Sequence, residues 1–312
     1  MGCQISKKQK NIEKVEKDNN IICEWNADYI TQKYHWWPLK QSETLNDNHN
    51  NLYAKDGGLD KYDKLFRKKS LKYQAKRHFI HRDSDRSDRD WAGFCDKASI
   101  LSSLYKYPKT FVTVKCEDRE IEFSPLDIEM LMITVCDNTT REGLMVLYGE
   151  RNNSDKENNY KKKQEPYPLE LMEILKRFSK EREPFIMDID NESAVWNYPY
   201  DQFKITEVEK PENNQYLDRI PKTGKNTFLR FQIYSTAYND KNIDIIGCVN
   251  YYGEFIRQVW LCDNNPDFLW KAYGKNEPWH GKSKMNPHID ANVIYKIYQQ
   301  SILQENKYVL IS

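Results

Sequence analysis

The sequence predicts an α+β domain with an antiparallel sheet, preceded by a short tail. Three observations predict it. From Asn226 onward apolar residues alternate: Leu229, Phe231 and Ile233 are interleaved with Arg230, Gln232 and Tyr234. Further runs at 243–250 and 255–261 follow, with Gly253 at a turn, which is the pattern of antiparallel strands. Earlier segments carry helical spacing instead, at 59–81, 95–104, 124–135 and 168–180. Finally, 39% hydrophobic and 13% aromatic residues in 312 are enough for a sizeable core, and no apolar run reaches membrane-spanning length.

In order, residues 1–27 read as a lipidated or docking tail and residues 28–312 as the domain; within them residues 11–30, polar around the apolar island Ile21-Ile22-Cys23, read as a tail or a short docking helix. Trp36 and Trp37 precede Pro38, which keeps them out of a helix interior, so they are expected to clamp the core. Leu59 to His81 reads as one amphipathic helix. Its Lys61, Lys64, Lys68, Lys72 and Lys76 form a stripe, either a solvated face or a contact with an anionic membrane. Residues 110–116 and 120–123 read as a hairpin. Ser124-Pro125 reads as an N-cap with proline at the first helical position. Pro184 to Asp190 reads as a buried strand ending in acid, residues 271–288 as loop, and Ile289 to Leu303 as the last helix. The 95–104 helix is expected to pack on one sheet built from residues 110–123, 184–190 and 226–261.

Charged residues total 30% but net charge is +1, which argues against a nucleic-acid partner. Seven cysteines (Cys3, Cys23, Cys95, Cys116, Cys136, Cys248 and Cys262) are widely spaced without a C-x-x-C. That excludes a disulfide framework and a zinc site from the expectation and fits a reducing compartment. Met1-Gly2-Cys3-Gln4-Ile5-Ser6 fits the N-myristoylation pattern. Cys3 beside Gly2 suits palmitoylation, and Lys7, Lys8 and Lys10 add basic charge. Gly2 and Cys3 are thus expected to hold the protein on the cytoplasmic face of a membrane as a peripheral protein.

Asp90-Trp91-Ala92-Gly93-Phe94-Cys95 leads into a helix whose tight face is small: Cys95, Ala98, Ser99 and Ser102. Cys95 falls in the first turn, where free N–H groups and the helix dipole favour a thiolate. Asp96 works against that by placing a like charge beside it. The plain alternative is a small buried residue in a packed helix.

The stretch Val195-Trp196-Asn197-Tyr198-Pro199-Tyr200-Asp201-Gln202-Phe203-Lys204-Ile205-Thr206-Glu207 resembles the surface peptide V-W-N-x-P-x-x-x-F-K-[VI]-x-E of the oomycete transglutaminase elicitors, a family found also in bacteria and protists. Other pieces agree in order: Trp36-Trp37-Pro38 with Leu59-Asp60-Lys61-Tyr62-Asp63, Trp91-x-Gly93-x-Cys95, Ser124-Pro125-x-Asp127-Ile128, Tyr148-Gly149-Glu150-Arg151, Asp188, and Pro266-Asp267-Phe268-Leu269-Trp270. The resemblance covers about residues 28–303. It implies a papain/transglutaminase-like cysteine acyltransferase fold that joins glutamine to an amine and releases ammonia. Cys95 would be the nucleophile and Asp188 the residue orienting a histidine, and Val195, Trp196, Asn197, Pro199, Phe203, Lys204 and Glu207 would lie in a presented surface peptide. Calcium is the one cofactor the resemblance suggests.

The chain departs from the family at the histidine. Where it is expected stands Glu165-Pro166-Tyr167-Pro168-Leu169-Glu170, with Glu170 near its place, and no histidine lies between His81 and His280. His280 and His288 are the fallbacks. The family's Gly-Gly-Glu-Trp is here Arg257-Gln258-Val259-Trp260. The expectation is therefore a membrane-attached, catalytically impaired relative that binds a protein partner as a scaffold. The alternatives are an active protein-glutamine gamma-glutamyltransferase with a histidine from elsewhere, and a structural component of a cytoskeletal assembly.

Overall fold

The computed structural model describes residues 20–37, 52–80, 93–138, 145–149, 166–189, 196–266, 268–272, 286–303 and 308–311. In chain order these form β1 (Ile21–Asn26), α1 (Gly58–Phe66), α2 (Ser70–Ile80), α3 (Cys95–Leu104), β2 (Val112–Cys116), β3 (Arg119–Phe123), α4 (Pro125–Asn138), β4 (Met145–Gly149), α5 (Pro168–Ser179), β5 (Phe185–Asp188), β6 (Asn197–Tyr200), β7 (Gln202–Val208), β8 (Lys225–Tyr234), β9 (Ile243–Tyr252), β10 (Phe255–Trp260), β11 (Phe268–Ala272), α6 (Ala291–Ile302) and β12 (Tyr308–Ile311). The chain is α+β and, but for the parallel β12–β2 pair, its sheets are antiparallel.

The expected single sheet is instead three: β1-β7-β8-β9-β10, β4-β11-β5-β6 and β12-β2-β3. The four-stranded sheet is a shared layer, because successive side chains of a strand point to opposite faces. Ile186 and Trp270 join a helical core with Leu101, Leu131 and Ile294 of α3, α4 and α6. Phe185, Met187 and Leu269 join a second core, made with α5 (Leu171, Leu175, Phe178) and the five-stranded sheet (Phe203, Phe231, Trp260).

Several expectations change. Residues 21–26 are neither tail nor helix. They pair antiparallel with β7, and Trp25 is buried and stacked on Phe203 at 5.4 Å, so the domain begins before residue 28. Alternation sets this: Trp25 points inward while Glu24 and Asn26 are exposed. The 59–81 helix is two. Arg67 takes a left-handed conformation (φ 52°) and closes α1, while the Asp63 carboxylate accepts the Ser70 and Leu71 N–H groups (2.7 and 3.0 Å) and caps α2. The lysine stripe is partly consumed by ion pairs, Lys61 with Asp127 at 2.6 Å and Lys64 with Asp60 at 2.9 Å, which weakens its reading as a membrane contact. The α4 start is as expected: Pro125 opens the helix, and the Asp127 carboxylate accepts the Ser124 N–H and hydroxyl (2.8 and 2.7 Å).

Candidate active site

Cys95 is the first residue of α3, and the approach of the chain to it is tightly built. The Phe94 N–H donates to the carbonyls of Trp36 and Trp37 (2.7 and 3.0 Å). The residue before it must be glycine: a Cβ at Gly93 would lie 2.1 Å from Cε3 of Trp36 and 2.8 Å from the Trp37 carbonyl oxygen. Trp36 in turn packs edge-to-face on Trp196 at 5.8 Å. The small residues of α3 do what their spacing predicts. Ala98, Ser99 and Ser102 are buried, letting the helix approach β6 closely, and the Ser99 hydroxyl donates to the Asn197 carbonyl at 2.7 Å.

Strand parity decides what meets the sulfur. Asp188 lies two residues from Ile186 and so shares its helix-facing side. Asn197 is opposite Asp188 in the β5–β6 register, and Trp270 is opposite Ile186. The Asn197 side-chain amide reaches the Cys95 Sγ at 3.6 Å, while its Oδ1 accepts the Trp270 indole N–H at 2.9 Å. The Asp188 carboxylate, 1% exposed, accepts the Trp196 N–H at 3.2 Å. Asn197 thus touches the Cys95 sulfur with its side chain and stands opposite Asp188 in the sheet.

The electrostatics oppose a thiolate. Burial pushes the Cys95 thiol above its ordinary range. The Asn197 backbone N–H acts the other way, Asp96 adds to the rise, and the Asn197 side chain and Lys97 lower it, leaving a net increase. The helix-start effect expected from the sequence is thus outweighed by desolvation. Lys97 is itself committed to carboxylates, 2.5 Å from Asp96 and 3.8 Å from Asp137.

A strap formed by residues 27–37 carries the two tryptophans to this point. Buried Asp201 holds one end, accepting the Thr31 N–H and hydroxyl (2.9 and 2.8 Å). Buried Glu129 of α4 holds the other, accepting the His35 N–H, the Trp37 indole N–H at 3.2 Å and the Tyr107 hydroxyl at 2.8 Å. Burial raises the Glu129 carboxyl to about 7, against the partial relief of these hydrogen bonds. Trp37, at φ 38°, sits in the left-handed region that a bulky residue rarely occupies. Trp36 and Trp37 do clamp the core, as the sequence predicts.

The other expected residues fall as follows. Glu170 is exposed, and its carboxylate accepts the Tyr167 N–H at 2.9 Å as the cap of α5, so the structure gives it a helix-capping role rather than the missing histidine's place. His288 packs edge-on against Tyr73 of α2 at 5.9 Å, and its N–H donates to Asn286. His280, Val195, Gly2 and Cys3 lie outside the described residues. The peptide expected at the surface forms β6 and β7 instead. Asn197, Pro199 and Phe203 are buried, Trp196 and Lys204 are half-buried, and Glu207 is exposed. Sequence reasoning missed that Asn197 is a partner of the sulfur and that Trp270 holds it. Both residues stood inside recognised motifs, but only the β5–β6–β11 register reveals that they converge. Glu129 carried no sequence signal, since one acid on an apolar helix says nothing of what is folded over it.

A cleft of about 500 Å3 is lined by Ile189, Trp196, Tyr198, Lys241 and Asn264, and its Trp196 also packs on Trp36 of the strap around Cys95. The Lys241 ammonium lies over the Tyr198 ring at 5.4 Å, and Tyr198 meets Tyr238 edge-to-face at 5.5 Å. Among the described residues no group of three or more His, Cys, Asp or Glu is placed to hold a metal ion, and no helix is long and apolar enough to cross a membrane. Fold and site together define an α+β protein with a cysteine at a helix start, packed on the edge strand of a four-stranded antiparallel sheet and faced by an asparagine amide. Comparison with known protein families, curated proteins and solved structures finds no match.

Proposed function

We propose that this chain is a protein-binding module on a transglutaminase-elicitor-like scaffold, held at the cytoplasmic face of a membrane by acylation at Gly2 and Cys3, with Cys95 kept as a neutral, catalytically impaired thiol. The observation that carries this reading is the burial of the Cys95 thiol, which raises its pKa, together with the Asn197 amide at its sulfur. An amide can donate a hydrogen bond to sulfur, but it cannot take the thiol proton or return one to a departing amine, as nucleophilic catalysis at a cysteine requires. The cleft of Trp196, Tyr198 and Lys241 is the surface on which a partner's chain would rest, offering two aromatic faces and one ammonium group.

The test is amine incorporation into a glutamine-containing acceptor, with and without calcium, comparing the wild type with Cys95→Ala. The expected result is no Cys95-dependent incorporation. Loss of one member of a nucleophile–base pair costs on the order of 10⁴–10⁶ in rate. Robust incorporation abolished by Cys95→Ala would establish the active acyltransferase instead, and His280→Ala would then ask whether that imidazole supplies the base. For the anchor, Gly2→Ala is expected to move the protein from the membrane pellet to the soluble fraction at high salt, where basic side chains are screened, since lasting attachment takes two acyl chains or one chain with basic residues. Retention in the pellet at high salt would rule the acyl anchor out.

A further inference from the structure

The β9–β10 hairpin ends the five-stranded sheet in a strip of seven consecutive exposed residues, Tyr251 to Arg257. Four of them are large and apolar: Tyr251, Tyr252, Phe255 (73% exposed) and Ile256 (52% exposed). The register puts Tyr252 opposite Phe255 and Tyr251 opposite Ile256. Cross-strand partners share a face and successive pairs alternate, so both faces of the ribbon tip are apolar. A hairpin made to lie on a protein surface needs one apolar face. Two apolar faces fit insertion into an apolar medium that surrounds the tip. The tyrosines suit its boundary, with an apolar ring and a polar tip.

Cations surround this tip. Lys225 is paired with Tyr251, Arg257 is opposite Asn250, and Lys222 lies in the loop entering β8; all three are exposed. That loop is fixed beside the hairpin. The Asn250 amide donates to the Thr223 carbonyl at 2.8 Å, and the Asn226 amide to the Pro221 carbonyl at 3.1 Å. Gly224, at φ +93°, brings the loop so close to the strand that a Cβ there would sit 2.5 Å from the Tyr251 carbonyl oxygen. None of the three cations takes part in an ion pair among the described residues. The one acid in the strip is Glu254, at the turn.

The path of the chain points to the same end. Through the ladders Ile21 is level with Thr206, Arg230 and Ile246, whereas Asn26 is level with Gln202 and Tyr234, farther from the tip. β1 thus runs away from the tip, and Ile21 is its end nearer the tip. Eighteen residues separate Gly2 from Ile21. Extended, they span about 60 Å, against roughly 25 Å from Ile21 to the hairpin turn at ordinary strand spacings. An acylated N-terminus and the hairpin tip can therefore reach one bilayer together.

We propose that the β9–β10 tip, with Lys222, Lys225 and Arg257, is a membrane-docking surface that inserts its apolar residues into an anionic lipid bilayer. Only the tail geometry rests on the acyl-anchor reading, and the test uses unacylated protein, so failure here is distinct from failure of Gly2→Ala to release the chain. Full-length unacylated protein is floated with phosphatidylcholine vesicles and with vesicles also containing phosphatidylserine, at low salt. The expected result is partition onto the anionic vesicles. Lys222→Gln with Lys225→Gln should lower it about fivefold per charge removed, and Phe255→Ser with Ile256→Ser by tenfold or more. Glu254→Gln should strengthen it. Tryptophan emission from Phe255→Trp should shift to the blue with phosphatidylserine vesicles. These side chains are exposed, so thermal melting should not change. No flotation on anionic vesicles, flotation indifferent to both sets of substitutions, or an unshifted Phe255→Trp emission would overturn the proposal. So would a dimer dissolved by Phe255→Ser with flotation unchanged, which would assign the patch to a second copy of the chain.

Discussion

Substituting Glu129 by glutamine should change how the stability of this protein depends on pH. Glu129 is 1% exposed, and its carboxyl stands at about 7 against an ordinary 4.5. A folded value above the unfolded one means that ionisation is resisted in the fold. The stability associated with this group is fully present below pH 4.5 and is lost as pH rises through about 7. That rise corresponds to roughly 3 kcal/mol, an order-of-magnitude figure for a buried carboxyl. Glutamine keeps the geometry: its oxygen still accepts from the His35 N–H and the Trp37 indole, and its nitrogen can donate to the Tyr107 hydroxyl oxygen. Urea unfolding at a series of pH values gives the comparison. The wild type should lose about 3 kcal/mol relative to Glu129→Gln between pH 4.5 and pH 8. The curves should be flat relative to each other outside that window. Parallel curves throughout would show that Glu129 is not the buried, resisted carboxyl described here, and that the Trp36–Trp37 strap is held by something else.

Two further outcomes follow from the packing around the sulfur. Gly93→Ala forces a Cβ into the Trp36 ring and should cost about 1–3 kcal/mol of unfolding free energy, as overpacking does; an unchanged melting temperature would mean the strap is loose. Trp270→Phe leaves the buried Asn197 Oδ1 without its donor at a cost of about 1–3 kcal/mol, whereas Leu303→Ala, at an exposed position, should fall within about 0.5 kcal/mol of wild type under the same urea titration.

Much of this architecture is legible in local chemistry. The small face of α3, the Ser124-Pro125-Asp127 helix start, the alternation of Leu229, Phe231 and Ile233, and the Gly253 turn each state their own structure, because the physics that sets them lies within a few residues. What is not legible depends on pairing between distant segments. Ile21-Ile22-Cys23 looks like an island in a polar tail until β7 supplies its partner. The break at Arg67 is set by Asp63 capping the next helix, which helical periodicity alone hides. The site divides in the same way. Cys95 at a helix start and Asp188 at a strand end can be read from sequence, but the fact that Asn197 faces the sulfur follows from the β5–β6 register, and a one-residue slip would turn it to the opposite side. The Val195–Glu207 peptide is placed at the surface only by its resemblance to a family's surface peptide, yet Asn197, Pro199 and Phe203 are interior.

The central claim is that Cys95 is a neutral thiol held by an amide, and its ionisation tests this most directly. Peptide-resolved alkylation by iodoacetamide across a pH series follows the thiolate of Cys95 apart from the other six cysteines. The account predicts that Cys95 reacts more slowly than free cysteine at neutral pH, with a midpoint above that of an ordinary thiol, because burial outweighs the Asn197 N–H groups. A midpoint at or below neutral pH would contradict it, since it would mean that a cation or an imidazole outside the described residues stabilises a thiolate ready for acyl transfer.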